Sequence, residues 1–362
     1  MNRRDFLKAG GALAVAGLGG CKRGNGSVAG LIGGEFSDAP LRDSAEIVVP
    51  AHRDNVVIEG LRFRNLGSGA YAIDIRGDNP ERPRNIVIKD CLFEDVHWAI
   101  NVNNCRAVRV HGCRFRNIGQ PARFENCRQV QFDYNEVENA GHYPLWGGWW
   151  ATNMVQFIHC TGPGNSASYN LCELRRGQHD AMEDLISWYN SGGVPGSPAQ
   201  CIGNRLRGGE NSDKAGGILL GDAANTGQYG ELSAYIAVRD NTLVDTQSVG
   251  IAIAGGHQME VSDNRILLSR AHNARFGDNV GTGIYAWNYS GSSQCGSHTI
   301  RRNRTHVIRG DGSAFDWWNP GDCEPVALSE NRFGDESLND SILPADLFAG
   351  LGVAYFSGRR RT

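Results

Sequence analysis

Lysine is nearly missing from this 362-residue chain: only four of its 36 basic residues are Lys, and the rest are Arg. Set against 39 acidic residues they leave a formal net charge of −3, so neither sign dominates. Composition therefore gives no support to a nucleic-acid partner or to a protein that coats polyanions. Long apolar runs are missing too, since the one sustained stretch, Ala9 to Gly20, is too short to cross a bilayer. What the chain does have is 48 Gly, 40% hydrophobic and 9% aromatic residues. That is the make-up of a turn-rich globular protein with a sizeable core, not of a disordered one.

The first residues read as an address. Asn2-Arg-Arg-Asp-Phe-Leu-Lys8 resembles a twin-arginine export motif, with Ala9 to Gly20 as its hydrophobic region. Leu18-Gly-Gly-Cys21 resembles a bacterial lipobox, which would place a lipid on Cys21 and hold the protein at the periplasmic or cell surface by that anchor alone; simple cleavage and release is the alternative. Residues 21–44, Gly-rich at their start, read as a flexible tether.

Internal repetition organises everything after that. Gly250 to Leu268, GIAIAGGHQMEVSDNRILL, is the cleanest copy of a unit that recurs as Asn55-VVIEGLRF-Phe63, Asn85-IVIKDCLF-Phe93, Ala107-VRVHGCRF-Phe115 and Tyr235-IAVRDNTLV-Val244. The turn position of each unit is Leu61, Cys91, Cys113, Asn135, Cys160, Asn204, Asn241, Asn264, Asn303 and Asn331, with a base period near 22 residues and one long gap between Cys160 and Asn204. This repeat resembles the coil of a right-handed parallel β-helix, an all-β solenoid of about ten to eleven coils over residues 45–335. Stacked turn Asn residues are expected there, because a side-chain amide can bond its neighbours one rung up and one rung down.

A second series lies upstream of the turns: Ala72–Ile75, Ala99–Val102, Ala122–Phe124, Leu145–Trp146, Asp184–Ile186, Gly217–Leu220, Gly250–Ile253, Gly283–Ala286 and Ala314–Trp317. These are expected to be strands of one sheet along the solenoid, with alternate residues facing the core and the outside. Residues 336–362 are expected to close the open end as a cap and tail, and the protein is expected to be a monomer. Cys91 with Cys113 and Cys105 with Cys127, each 22 residues apart, should stack as buried thiols. Cys295 and Cys323, in loops of successive coils of an exported chain, are candidates for a disulfide.

Chemistry must come from the outward face. His179, Asp180, Glu183 and Asp184 arrive together in the middle of the solenoid, Asp222 ends the equivalent strand one coil on, and His257 follows one coil further. Adjacent coils would bring such residues within roughly 5–10 Å of one another. Such a cluster suits acid–base work, or a hard cation held by Asp180, Glu183, Asp184 and Asp222. Each of these residues has a plainer reading as a turn or surface residue. Arg176 and Arg207 either pair with the carboxylates or hold an anionic sugar acid, and Lys214 sits in a glycine-flanked loop beside them. Trp146, Trp188, Tyr285, Trp287 and Trp318 either face outward, as stacking surfaces for sugar rings, or fill the core.

With this repeat and export signal the chain resembles the pectate-lyase-like superfamily of exported β-helix proteins. The resemblance implies a long polysaccharide across the outward sheet, cut by β-elimination or hydrolysis. In a lyase of that kind, carboxylates hold Ca2+ against a uronate and an Arg, Lys or His takes the C5 proton. On that implication Glu183, Asp184 and Asp222 would hold Ca2+ or neutralise the uronate, His179 or His257 would move the proton, and Arg207 or Lys214 would assist. The Asn-x-Asp, Asp-Asp and Gly-His-Gly set of polygalacturonases is not found; Gly255-Gly-His257-Gln258 matches its last member only in part. A hydrolase built on two of Asp180, Glu183, Asp184 and Asp222 is the rival enzyme, and a non-catalytic carbohydrate-binding protein is the rival class.

Overall fold

The structure is a computed structural model describing residues 40–64, 66, 69–141, 152–174, 182–208, 216–221, 233–246, 248–275, 277–289, 291 and 294–348. Cys21, Trp146, Arg176, His179, Asp180, Lys214 and Asp222 lie outside these described residues.

Short runs of alternating apolar residues cannot stand as isolated strands, and here each finds its partners one coil above and below. Three parallel sheets result. Sheet one has eleven strands, from Arg42–Asp43 to Arg332–Phe333, and sheet three has ten, from Val57–Glu59 to Val326–Ser329. Sheet two has ten: Ile47–Val49, Tyr71–Arg76, Trp98–Asn103, Gln120–Glu125, Val155–Ile158, Asp184–Tyr189, Gly216–Gly221, Val249–Ala254, Thr282–Ala286 and Trp317–Trp318. The chain visits sheets one, two and three in turn, so the repeat unit of the sequence carries three strands per coil rather than two. The second series of the sequence is sheet two, except that Val155–Ile158 takes the place expected for Leu145–Trp146.

Register keeps like residues in columns. Ile73, Ile100, Ala122, Val155, Ile186, Ile218, Ile251 and Ile284 pair in succession across sheet two and are buried. Phe63, Phe93 and Phe115 stack at centroid distances of 5.0 and 4.8 Å. The recurring Gly-Ile pair has a packing cause: a Cβ on Gly250 would lie 2.5 Å from Ile266 Cγ2, and one on Gly283 would lie 2.4 Å from the Asp316 carbonyl oxygen.

The corner between sheets three and one carries the asparagine ladder. Asn135 Nδ2 donates to Asn170 Oδ1 at 3.2 Å, and the chain of bonds continues through Asn204, Asn241, Asn264, Asn303 and Asn331 at 2.8 to 3.0 Å. Each acceptor oxygen also takes the backbone N–H of the preceding Asn, as Asn241 Oδ1 takes that of Asn204 at 2.9 Å. The residue before each ladder Asn turns into the left-handed region, as at Tyr134, Tyr169, Asp240 and Asp263 (φ 58°, 58°, 56° and 60°), which is why Asp-Asn marks the turn so well.

Asn170, not Cys160, holds the fifth turn position. Cys160 belongs to the corner between sheets two and three, where its N–H donates to Ser191 Oγ at 2.9 Å and Ser191 in turn donates its N–H to Ser233 Oγ at 3.0 Å. With Asn170 in place, the long gap in the sequence is a single coil to Asn204. Cys91, Cys105, Cys113 and Cys127 are free buried thiols, and Cys295 and Cys323 form a disulfide.

The C-terminal segment does not close the open end where it is described. Leu343, Leu347 and Phe348 pack against Leu171, Val244 and Leu267 on the outer side of sheet one. Arg207 donates to the Leu343, Pro344 and Ala345 carbonyls, and the Leu347 N–H donates to Glu173 Oε2 at 3.0 Å. The segment is a strap along the solenoid's flank.

The ladder makes a quantitative prediction. Asn241→Ala removes bonds to Asn264, Cys201 and Asn204 and leaves buried partners unsatisfied, which costs on the order of 3 kcal/mol. Urea unfolding measures it, and a variant within experimental error of the parent would remove the ladder from the list of stabilising features.

Candidate functional site

Alternation along sheet two turns one residue per strand outward in a single continuous row. The row starts at the exposed Val48 and continues through Asp74, Asn101, Arg123, Gln156, Ser187, Leu219, Ala252, Tyr285 and Trp318, each paired in register with the next. The nine rungs from Asp74 onward, at roughly 4.8 Å each, span on the order of 40 Å. Within that span Asp74, Asn101, Ser187 and Ala252 are themselves buried, so the open surface is concentrated at Arg123, Gln156, Leu219, Tyr285 and Trp318. Its two ends differ in chemistry.

The first end is polar. Asp74 accepts from Arg76 Nε at 2.6 Å and from Asn101 Nδ2 at 2.8 Å. Arg123 pairs with Glu125 at 2.9 Å, and Asn103 Nδ2 donates to the same Glu125 oxygen at 3.2 Å. Tyr71 lies beside Trp98 with ring centroids 6.0 Å apart. Desolvation raises the Tyr71 phenol, against the opposing pull of Arg123. The other end is aromatic: Tyr285 meets Trp318 edge-on at 6.0 Å, Trp287 lies 5.8 Å from Trp318, and Tyr289 lies 5.0 Å from Trp287. These rings are half-buried or exposed, so the cluster offers apolar surface to a ligand.

A carboxyl group sits beside the centre of the row. Asp184, at the start of its strand, is 4% exposed, and its Oδ1 accepts the Gly216 N–H at 3.0 Å. Burial is the first cause and Glu183 the second of a pKa held well above the usual carboxylate range, so Asp184 favours its protonated form. Its field reaches the Tyr285 phenol, which desolvation raises first and the Asp184 charge raises further. Glu183, next in the chain, presents exposed surface, yet desolvation raises it as well.

Of the residues singled out in the sequence, Glu183, Asp184, Tyr285, Trp287 and Trp318 belong to this face or its border. Three others do not. Trp188 is fully buried, stacked on Phe157 at 4.0 Å, because its place in the strand alternates inward. Arg207 lies on sheet one, where it holds Glu173 at 3.4 Å and the C-terminal strap. His257 lies past the end of Val249–Ala254, bridged to Ala234 and Gly296. A six-residue strand separates that edge from the edge carrying Asp184, roughly 17 Å at 3.3 Å per residue, so His257 and Asp184 cannot share one reacting centre.

The expected Ca2+ ligands reduce, among the described residues, to Glu183 and Asp184. A hard cation wants about six or more oxygens, so a cage here would need Asp180 and Asp222, which lie outside the described residues, besides these two consecutive carboxyl groups.

Tyr71, Asp74, Asn101 and Arg123 were missed as site residues, although Ala72-Ile-Asp-Ile75, Ala99-Ile-Asn-Val102 and Ala122-Arg-Phe124 already align the last three on one outward column. The signal was periodicity on a stretch without insertions, where no loop drew the eye.

The buried acid makes stability depend on pH. Between the ordinary carboxylate range and the raised folded value, the folded chain binds a proton at Asp184 that the unfolded chain has lost. Stability therefore falls as pH rises across that window. Asp184→Asn keeps an acceptor for the Gly216 N–H and removes the ionisation. Urea unfolding at a series of pH values should show the parent losing stability relative to Asp184→Asn as pH rises; parallel curves would contradict the neutral-acid assignment.

Comparison with known proteins agrees with this architecture. The family model described as a right handed beta helix region matches residues 35–171, and that of the twin-arginine translocation signal sequence matches residues 1–20. No curated protein sequence matches the chain. Among solved structures, an alginate lyase from Paenibacillus sp. str. FPU-7 is similar at 11% identity and a TM-score of 0.39, over 80% of this chain and 94% of that one. The Agl-KA catalytic domain is similar at 14% identity and a TM-score of 0.39, over 80% of this chain and 55% of that one, so the match spans about half of its length. Three parallel sheets wound coil on coil, led by a twin-arginine export signal, make the chain a right-handed parallel β-helix.

Proposed function

We propose that this protein binds a long acidic polysaccharide along the outer face of sheet two and cleaves it by β-elimination, held at the periplasmic or cell surface by a lipid on Cys21. The observation that carries the reading is the register of sheet two from Asp74 to Trp318, with aromatic rings at one end, charged and amide groups at the other, and the buried Asp184 carboxyl at the strand start beside its middle.

Elimination needs the negative charge of the uronate to be neutralised before the C5 proton can leave. Asp184 in its neutral form can donate a hydrogen bond to that carboxylate, the task the resemblance gave to a cation. Arg123 and Tyr71 can serve the same polymer a few sugars away, with Trp287 and Trp318 as platforms at the far end. With His257 at the other edge, His179 remains the candidate for the base, with Lys214 in support. A hydrolase using Glu183 and Asp184 as its pair fits less well, because these are consecutive, one exposed and one buried, whereas such enzymes place two carboxyl groups on either side of one bond.

A panel of uronate polymers, alginate and pectate among them, assayed both for ultraviolet absorbance of unsaturated ends and for new reducing ends, tests the reading. A rise in both is expected, with Asp184→Ala abolishing the rise and Trp318→Ala weakening polymer binding roughly tenfold. Reducing ends without absorbance would replace elimination with hydrolysis. Binding with neither would leave a carbohydrate-binding protein.

A further inference from the structure

Cys295 lies in the loop before the strand His298–Arg301, and Cys323 lies in the loop before Val326–Ser329, one coil further on. Their disulfide ties the two loops together. His298, 1% exposed, stands against it with Nε2 3.2 Å from Cys323 Sγ. Its other nitrogen, Nδ1, accepts the Met259 N–H at 3.3 Å, so the ring proton belongs on Nε2 and points at the sulfur. Burial is the first cause, and the neighbouring His257 the second, of a His298 pKa pushed down to about 4, which keeps the ring neutral in this tautomer.

The ligand atoms of Cys295, His298 and Cys323 lie within 4.8 Å of one another, which invites a metal. The tautomer argues against one. A metal would take the Nε2 lone pair, and the proton moved to Nδ1 would then confront the Met259 N–H. The ring is built as a donor to sulfur.

We propose that Cys295–Cys323 is a thiol–disulfide exchange site open to a thiol reductant, attacked at Cys295 and releasing Cys323. Both residues are buried, and Cys295 is the one that reaches the surface, 7% exposed against 0% for Cys323. Cys323 is the better leaving group, because the His298 Nε2–H stabilises the charge it acquires. The incoming thiolate bonds to Cys295 Sγ, the bond between Cys295 and Cys323 breaks, and its electron pair departs on Cys323. A second thiolate of the reductant attacks the mixed disulfide and frees Cys295. The protein gains two electrons, the two reductant thiols become a disulfide, and the protein thiolates take their protons from solvent.

An exported chain is made under reducing conditions and works under oxidising ones, so the pair meets both states. The loops it joins also border the aromatic end of sheet two, where the Asn288 N–H donates to Asp322 Oδ1 at 3.1 Å and Trp287 stands beside Trp318. Opening the disulfide releases that tie, whatever ligand the rings hold.

The test uses the whole folded protein with glutathione as the thiol, acid quenching, alkylation and peptide mass mapping. Glutathione is expected on Cys295, the alkyl label on Cys323, and a change in tryptophan fluorescence alongside. His298→Phe should slow exchange roughly tenfold, while His298→Gln, which keeps an N–H donor, should retain most of the rate. Circular dichroism establishes that each variant is folded. Glutathione on Cys323, equal rates in all three proteins, or no exchange until urea unfolds the chain would each overturn the proposal.

Discussion

Everything in this molecule depends on one spacing: successive coils stack about 4.8 Å apart in exact parallel register, so whatever a strand position carries is repeated as a column. A buried amide can then hold the same amide above and below it, as the run from Asn135 to Asn331 does, and each oxygen in that run satisfies two donors. The constraint is stringent because an interruption strands a polar group on both sides. It also explains why the corner between sheets two and three uses Ser191 and Ser233: a small side chain that can take the backbone N–H one coil back, from Cys160 and Ser191 respectively, meets the same need.

Columns create the functional face as well as the core. The same alternation that buries Ile186 and Trp188 turns Ser187 outward, and nine such positions line up without interruption. The middle of the row is floored by small or uncharged residues, Gln156, Ser187, Leu219 and Ala252, and the acid that borders it is held neutral by burial rather than by a partner of opposite charge.

Most of the architecture was legible in the sequence because its signals are local and repeated. The Asp-Asn turn, the Gly-Ile strand start and the short apolar runs each recur often enough to define one coil, and the pairing of Cys295 with Cys323 follows from the same register. What failed did so where two residues compete for one role. Cys160 has the size and burial of a turn residue but serves another corner, and only Asn170 has the amide that continues the ladder. Proximity along the chain also misled: Arg207 is close to the acidic stretch in number yet belongs to a different sheet, and His257 is two coils away and at the opposite edge. Inward and outward positions of Trp188 differ by one residue of phase, which a short strand with aromatic neighbours leaves open.

The strap from Asn339 to Phe348 changes how this solenoid should come apart. A stack of coils is ordinarily a one-dimensional system in which each unit feels only its neighbours, and it can fray from either end one coil at a time. Here Leu343, Leu347 and Phe348 touch side chains from strands Leu171–Glu173, Thr242–Val244 and Arg265–Leu268, and Arg207 clasps the strap between them. Four consecutive coils are thereby bound by a segment that belongs to none of them, and loss of the last coils must either detach that segment or carry the middle of the solenoid with it. The flank, not the end, is where this repeat acquires its cooperativity.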